Sequence, residues 1–419
     1  MTAAGSVPRR NWAGNVRYAA RRHHAPSSLD ELRRLVAGSE RLRVVGTGHS
    51  FNRLGDTTGD LVSLAGLPGT VALDPDRRAV TVPAAMRYGD LASWLHARGY
   101  ALANLASLPH ISVAGAIATG THGSGETIGN LASAVAGLEL VTAGGELLTV
   151  DRAADGDAFA GMVVSLGALG VVTRVTLDVV PTFDIRQYVR LGLSRSALDA
   201  ALASAYSVSV FTDWRSSRLR EVWVKQRADA APLPADWLDT TPADGQRHPV
   251  PGMPARNCTP QLGEPGPWHE RLPHFRLGFT PSSGDELQSE YHVPRASAAA
   301  ALAALDPVAR LIAPVLQVCE LRTVAGDGLW LSPNHGRDSL AIHFTWTADA
   351  AAVLPVVAAV EERLAPFAPR PHWGKVFDLA PAAVAAAWPR YADFLDLARR
   401  LDPAGTFRTD LLDRYLPRD

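Results

Sequence analysis

Apolar and polar positions recur along the chain with a helical period in some stretches and a two-residue period in others, and these patterns predict most of its elements. Ser27-Ser28-Leu29-Asp30-Glu31 has the make-up of a helix start, a serine cap followed by acids in the first turn, and predicts a helix running to about Gly38. Arg41 to Val45 reads as a short strand entering Gly46-Thr47-Gly48-His49-Ser50. Residues 71–82 read as two strands turned at Asp74-Pro75-Asp76. From Tyr88 to Arg98, Leu91, Trp94 and Leu95 share one face of a helix that Gly99 stops, with Trp94 expected in the core. A hairpin around Ala143-Gly144-Gly145 is predicted over 138–150 and a β-branched strand over 171–180. Further strands are predicted over 315–323 and 340–346, and helices over 298–305 and 353–364. Ser107 to Gly129 reads as a long glycine-rich loop. Residues 225–285 read as an irregular excursion that keeps Trp237, Trp268, Phe275 and Phe279 and is therefore ordered. Leu401-Asp402-Pro403-Ala404-Gly405 reads as a helix stop followed by a tail, and no internal repeat is present.

A chain of 419 residues is too long for one ordinary core, so two or more domains are expected. Hydrophobic residues make up 47% and charged residues 20%, as in packed globular proteins. A formal net charge of -1 argues against a nucleic-acid footprint or a polybasic membrane surface. Cys258 and Cys319 lie far apart with no CxxC, so neither a disulfide framework nor a zinc site is read, and a cytoplasmic location is expected. The start MTAAGSVPRRNWAGNV lacks an apolar signal core, and Ala350 to Val360, which contains Pro355, is too short to span a bilayer. Thirteen histidines without an HExxH or a close His/Cys cluster give no reason to expect a metal, and no GxSxG elbow is present. A monomer is expected. Of the 41 basic residues only Lys225 and Lys375 are lysines, which makes each a candidate for a specific role.

Gly46-Thr47-Gly48-His49-Ser50-Phe51 is not a dinucleotide fingerprint, because the third glycine is missing and no helical pattern follows directly. Its glycines let backbone N–H groups face outward and bind phosphate oxygens in a nest. Ser107 to Gly125 is almost entirely small or hydroxyl residues. A core needs more side-chain volume than that, and a flexible linker would not carry Leu108-Pro109-His110-Ile111-Ser112-Val113. A backbone-rich cradle for an extended polar ligand explains the stretch, and two such loops suit a diphosphate held between them.

These segments resemble the FAD domain of the vanillyl-alcohol oxidase superfamily, and Gly46-x-Gly48-His49-Ser50 resembles its subgroup that attaches FAD through histidine. Asn11-Trp12-Ala13-Gly14-Asn15, Ala114-x5-Gly120-Thr121-His122-Gly123 and Asp402-Pro403-Ala404-Gly405-x-Phe407 resemble segments of sugar and aldonolactone oxidases. Residues 205–295, including Phe211-Thr212-Asp213-Trp214-Arg215 and the run from Pro267 to Phe275, resemble the alditol oxidases in particular. The resemblance implies an α+β fold with an FAD-binding domain over 1–183, a substrate (cap) domain over 184–375 on an antiparallel sheet with flanking helices, and a carboxyl-terminal segment over 376–419 that returns to the first. It implies FAD bound covalently through His49. Gly46, Thr47, Gly48, Ser50, Phe51, Ser107, Ser112, Gly115, Thr119, Gly120, Thr121, His122, Gly123, Gly170, Val171 and His372 would surround the cofactor. A covalent link prevents loss of the flavin and should raise its redox potential.

Side chains on a strand alternate faces, so Glu320 and Arg322 share one face, and His343 and Thr345 share another. Such a face can simply be solvated. Glu, Arg, His and Thr together also offer the mixed donors and acceptors that suit hydroxyl groups. Glu-x-Arg at 320–322 and His372-Trp373-x-Lys375 both resemble the active-site sheet of aldonolactone and alditol oxidases. That resemblance implies that Arg322 and Lys375 sit by the reacting hydroxyl and the flavin, with Glu320, His343, Thr345 and Ser107 holding the rest of a polyol. The implied activity is oxidation of the terminal hydroxyl of an alditol such as xylitol or sorbitol to the aldose, with hydride passing to flavin N5 and O2 reoxidising the flavin to give H2O2. An aldonolactone oxidase or dehydrogenase is the alternative, since the two motifs do not separate them. The intact set Glu320, Arg322, His343 and Lys375 argues against a non-catalytic flavin carrier. The chain departs from the family pattern at Pro83-Ala84-Ala85, where relatives carry glycines, and at Thr409, where asparagine is expected.

Overall fold

A computed structural model describes residues 7–279 and 285–418. The first six residues of the amino-terminal segment, and 280–284 within the irregular excursion, lie outside the described residues. The helix Leu29–Ala37 forms where its cap predicts: Ser28 Oγ accepts from the Glu31 N–H, and Leu32 and Val36 are fully buried. It packs on a three-stranded parallel sheet in which Asp60–Val62 lies between Arg22–His24 and Leu42–Val44. Beside it, Ala72–Asp74, Ala79–Pro83, Val171–Asp178, Val135–Val141 and Leu147–Asp151 form a five-stranded antiparallel sheet in that spatial order. Val80, Val82, Val175 and Leu177 bury one face of it against Leu91 and Leu95 of the helix Tyr88–His96.

The chain from Asp184 onward builds a nine-stranded antiparallel sheet. Its long strands run Asp184–Ser194, Arg218–Arg227, Ser207–Thr212, Leu316–Val324, Ser339–Thr347 and Glu286–Pro294 across the sheet. Val210, Val222, Leu321, Ile342, Phe344 and Trp346 occupy one face and pack under the helices Ala298–Leu305 and Ala350–Leu364. The period of two therefore leaves Glu320, Arg322, His343 and Thr345 on the opposite face. Register adds a residue to that face: Glu290 pairs with His343, which pairs with Glu320.

Three sequence expectations are corrected. The glycine-rich loop contains a helical turn, Val113–Ala118, whose Val113, Ala116 and Ile117 are buried at helical spacing; six residues are too few for the period to show. The tail after Gly405 folds into the helix Asp410–Tyr415, capped by Thr409 Oγ1 accepting from the Leu412 N–H, and buries Leu412 and Tyr415. Threonine thus serves there as the cap. Trp94 is only half-buried, with the Arg98 guanidinium 3.8 Å over its ring, and is not a core residue.

The carboxyl-terminal return is tight. The Asp402 carboxylate accepts from the N–H groups of Gly405, Thr406 and Phe407, the Leu42 N–H donates to the Thr406 carbonyl at 2.8 Å, and Phe407 buries against Leu32 and Val62. Among the described residues no helix is long and apolar enough to cross a membrane.

Candidate active site

A cavity of about 1060 Å³ lies between the glycine-rich loops and the polar face of the large sheet. That is the upper end of the size range for cofactor and small-molecule sites, roughly 300–1,000 Å³. One wall is main chain. A Cβ on Gly46 would sit 2.2 Å from Ser112 Oγ, so only glycine lets the 46–50 loop meet the second loop. Gly48 takes φ +70°, a left-handed conformation that glycine adopts without strain. The Asn-Trp-Ala-Gly-Asn segment clamps this loop: Asn11 Nδ2 donates to the Ser50 carbonyl at 2.9 Å, Asn15 Nδ2 to the Phe51 carbonyl at 2.8 Å, and the Trp12 N–H to the Gly48 carbonyl at 2.7 Å.

His49 stacks on Trp12 with ring centroids 5.2 Å apart. Its Nδ1 lies 3.0 Å from Thr47 Oγ1, and its Nε2 is buried without a partner. Burial, with His110 nearby, pushes its imidazole down to about 4, so the ring is neutral and its Nε2 stays without a partner in either tautomer. A glycine-walled cradle of phosphate-binding shape, beside a buried orphaned histidine nitrogen, fits FAD.

The opposite wall is charged. Glu290 is its hub: Lys375 Nζ lies 2.5 Å from Oε2, Arg322 Nη2 3.0 Å from Oε1, and His122 Nε2 3.0 Å from Oε1. Burial alone would raise the Glu290 carboxyl, but Lys375, His122 and Arg322 outweigh it and hold it well below the ordinary carboxylate range. Burial lowers Lys375, with Glu290 opposing. Arg322 is raised because Glu320 and Glu290 outweigh its desolvation. Lys375 also donates to His343 Nδ1 at 2.5 Å, which leaves the His343 Nε2–H to donate to Thr345 Oγ1 at 3.0 Å. Arg322 Nη1 reaches Ser107 Oγ at 3.3 Å, while Arg322 Nε, 3.5 Å from Glu320 Oε2, is buried without a hydrogen bond.

The two walls are joined. The Phe51 N–H donates to the Gly374 carbonyl at 2.7 Å, and Asn52 Nδ2 donates to the carbonyls of Trp373 and Lys375 at 2.8 and 2.7 Å. The loop that carries His49 therefore also sets the backbone of Lys375.

Most residues singled out from sequence line this one cavity: Gly46, Thr47, Gly48, His49, Ser50, Phe51, Ser107, Ser112, Gly115, Thr119, Thr121, His122, Gly170, Val171, Glu320, Arg322, His343, Thr345, His372 and Lys375. Gly120 and Gly123 do not. Gly120 turns the chain at φ +67° against Pro333, and a Cβ on Gly123 would meet the Leu105 carbonyl at 2.4 Å, so both are packing glycines. Sequence reasoning missed Glu290, Gln288 and His274, which also line the cavity. The signal was present in Leu287-Gln288-Ser289-Glu290-Tyr291-His292, which alternates faces, but it sits at the end of the irregular excursion. Among the described residues His122, Glu290 and His292 place ligand atoms within 4.8 Å of one another, yet Arg322 and Lys375 already pair with that carboxylate and would repel a metal cation.

A glycine cradle fitted to FAD, facing a buried charged sheet face across one cavity, defines an FAD-dependent oxidoreductase. Comparison with known proteins agrees. Residues 23–151 match a family described as FAD binding domain, and residues 285–415 match the D-arabinono-1,4-lactone oxidase family. The chain is 54% identical over 413 residues to an alditol oxidase of a Streptomyces species, covering 96% of this chain and 98% of that one. It is 29% identical over 433 residues to an L-gulono-1,4-lactone dehydrogenase of Mycobacterium tuberculosis (97% and 98% covered), and 25% identical over 446 residues to the L-gulonolactone oxidase of Mus musculus (96% and 97% covered). The chain belongs to the alditol oxidase family, within the aldonolactone oxidase branch of the vanillyl-alcohol oxidase superfamily.

Proposed function

We propose that this enzyme oxidises the terminal hydroxyl of an alditol such as xylitol or sorbitol to the aldose, using FAD bound covalently through His49 and O2 as the final acceptor. The observation that carries the reading is the cluster of Glu290, Glu320, Arg322, His343 and Lys375 on the cavity wall opposite the cradle. FAD, when bound, supplies the hydride acceptor and the route of electrons to oxygen.

The chain's own groups do the rest. Lys375 and Arg322 are buried cations held in place by one carboxylate. They are aimed before reaction at the space where a hydroxyl would lose its proton, and there they stabilise alkoxide character. Glu320, His343, Thr345 and Ser107 offer the remaining hydroxyls both donors and acceptors. Burial keeps His343 neutral, at about 4, so it adds no charge to the cluster. For His49, the neutral ring and its unpartnered buried nitrogen support a covalent bond to the flavin. We further read 1–183 and 376–419 as the FAD-binding part and 184–375 as the substrate part; Trp388, Phe394 and Leu412 join the first large hydrophobic core, which also takes in Trp268, Trp330 and Trp373, while the buried members of the second all fall between Leu193 and Leu364.

Anaerobic addition of xylitol to the purified holoenzyme tests the activity. Bleaching of the oxidised-flavin absorbance, reversed by air, is expected. Bleaching only by an aldonolactone would move the chain to lactone oxidation. Acid precipitation tests the link: yellow colour stays in the pellet if His49 holds the flavin, and colour wholly in the supernatant would refute it.

A further inference from the structure

Lys225, one of the chain's two lysines, is fully buried on the same face of the sheet as Arg322, two strands away, and does not line the cavity. Burying an ammonium is costly unless something specific uses it. Its Nζ donates to the Leu272 carbonyl and lies 3.0 Å from His274 Nδ1. His274 Nε2 lies 2.7 Å from Glu320 Oε1. An ammonium has only donors, so Nδ1 must accept, and the remaining proton sits on Nε2 and donates to Glu320. The chain of bonds runs one way, from Lys225 through His274 to Glu320, and commits Oε1. That leaves Oε2 as the free acceptor, 3.5 Å from Arg322 Nε, which itself lacks a hydrogen bond. A hydroxyl between them would donate to Oε2 and accept from Nε, satisfying both.

We infer that Lys225 and His274 are a positioning pair that fixes and polarises Glu320 as the acceptor for one polyol hydroxyl, and so set substrate affinity rather than the rate of the redox step. The inference rests on the polyol reading above. The backbone supports rigidity: the His274 N–H donates to the Ser107 carbonyl at 3.0 Å, and the His274 ring packs 5.0 Å from that of Trp223. Burial drives His274 down to about 4 and Lys225 down to about 7, the latter opposed by Glu320. The charged and titratable groups facing Lys225 are His274, Glu320, Arg322 and Cys258. Loss of the Lys225 proton above neutral pH would weaken the pull on His274 and with it the hold on Glu320.

The test uses the flavin-loaded full chain. Lys225→Met should raise KM for xylitol roughly tenfold or more, the scale of losing a charged hydrogen bond, with kcat changed far less. In wild type KM should climb as pH passes about 7, and the variant should lose that limb. His274→Gln keeps a donor toward Glu320 without the link to Lys225, and should fall between the two. In a Glu320→Gln background Lys225→Met should add no further penalty. An unchanged KM in a folded, loaded Lys225→Met enzyme, or a penalty that simply adds to that of Glu320→Gln, would overturn the inference while leaving the polyol reading intact. Should wild type oxidise no polyol, only the parent reading fails, and urea unfolding tests the buried charge by itself. A lysine depressed from 10.5 to about 7 makes wild type gain stability over Lys225→Met as pH rises through that window, and parallel pH curves would contradict it.

Discussion

Around His49 the cavity wall is main chain, glycine and hydroxyl side chains from two nearby loops. Around Glu290 it is charged side chains from three strands and a loop, spread between residues 290 and 375. The first wall is built on close main-chain approach, as at Gly46; the second is built on paired charges. The difference matches the work each does. A diphosphate is recognised by peptide N–H groups at close approach. A reacting hydroxyl needs fixed charge in a site with little water.

The largest expected effect is on the charged wall. Glu290→Gln leaves the Lys375 and Arg322 cations buried without their shared carboxylate, and breaking such a pair costs about 3–5 kcal/mol. Urea unfolding of the holoenzyme measures it, and an undiminished midpoint would mean the hub is not electrostatic. Acid comes next. His274 and His343 are pushed from near 6.5 to about 4 in the folded state, so their contribution is complete above 6.5 and is lost as pH falls toward 4. The loss is about 3 kcal/mol each, and a pH series of unfolding midpoints, shallower in His343→Gln than in wild type because His274 still titrates, resolves one of them. The cradle gives a smaller stability change with a different readout. Gly46→Ala forces Cβ onto Ser112 Oγ and costs about 1–3 kcal/mol, and the flavin content of the purified protein should drop. Adding Ser112→Ala removes the 2.2 Å overlap with Oγ, leaving a 3.2 Å contact with its Cβ, and should restore much of the loading; loading that stays as low as in Gly46→Ala would mean Gly46 is needed for more than space. Outside the cavity lining, Thr409→Ala removes one helix cap and should cost only about 1 kcal/mol, with activity unchanged.

The same contrast explains what could be read from sequence. The cradle is local, and a GxGHS turn and a run of small residues are visible wherever they stand. Glu320, Arg322, His343 and Thr345 were legible as pairs because strand alternation is local too. What brings them to Glu290 is cross-strand register over some fifty residues of intervening chain, and no periodicity carries that. The strands Asp184–Ser194, Ser207–Thr212 and Arg218–Arg227 were missed although their apolar face is as regular, because the irregular excursion beside them blurs the pattern. Lys225 was marked by its rarity, but only the fold shows it linked through His274 to Glu320. The tail motif from Asp402 to Phe407 was recognisable as a family segment, whereas its work, a carboxylate gathering three N–H groups so that the chain can join the first sheet, is a matter of geometry.

The central claim is that the charged wall acts on the polyol while the cradle alone holds the flavin. Rapid anaerobic mixing of xylitol with wild type and with Lys375→Met, following the oxidised-flavin absorbance, tests it most directly. Flavin content and resting spectrum should be retained in the variant, with reduction slowed on the order of 10²–10³-fold. Reduction at the wild-type rate in a fully loaded variant would contradict the account.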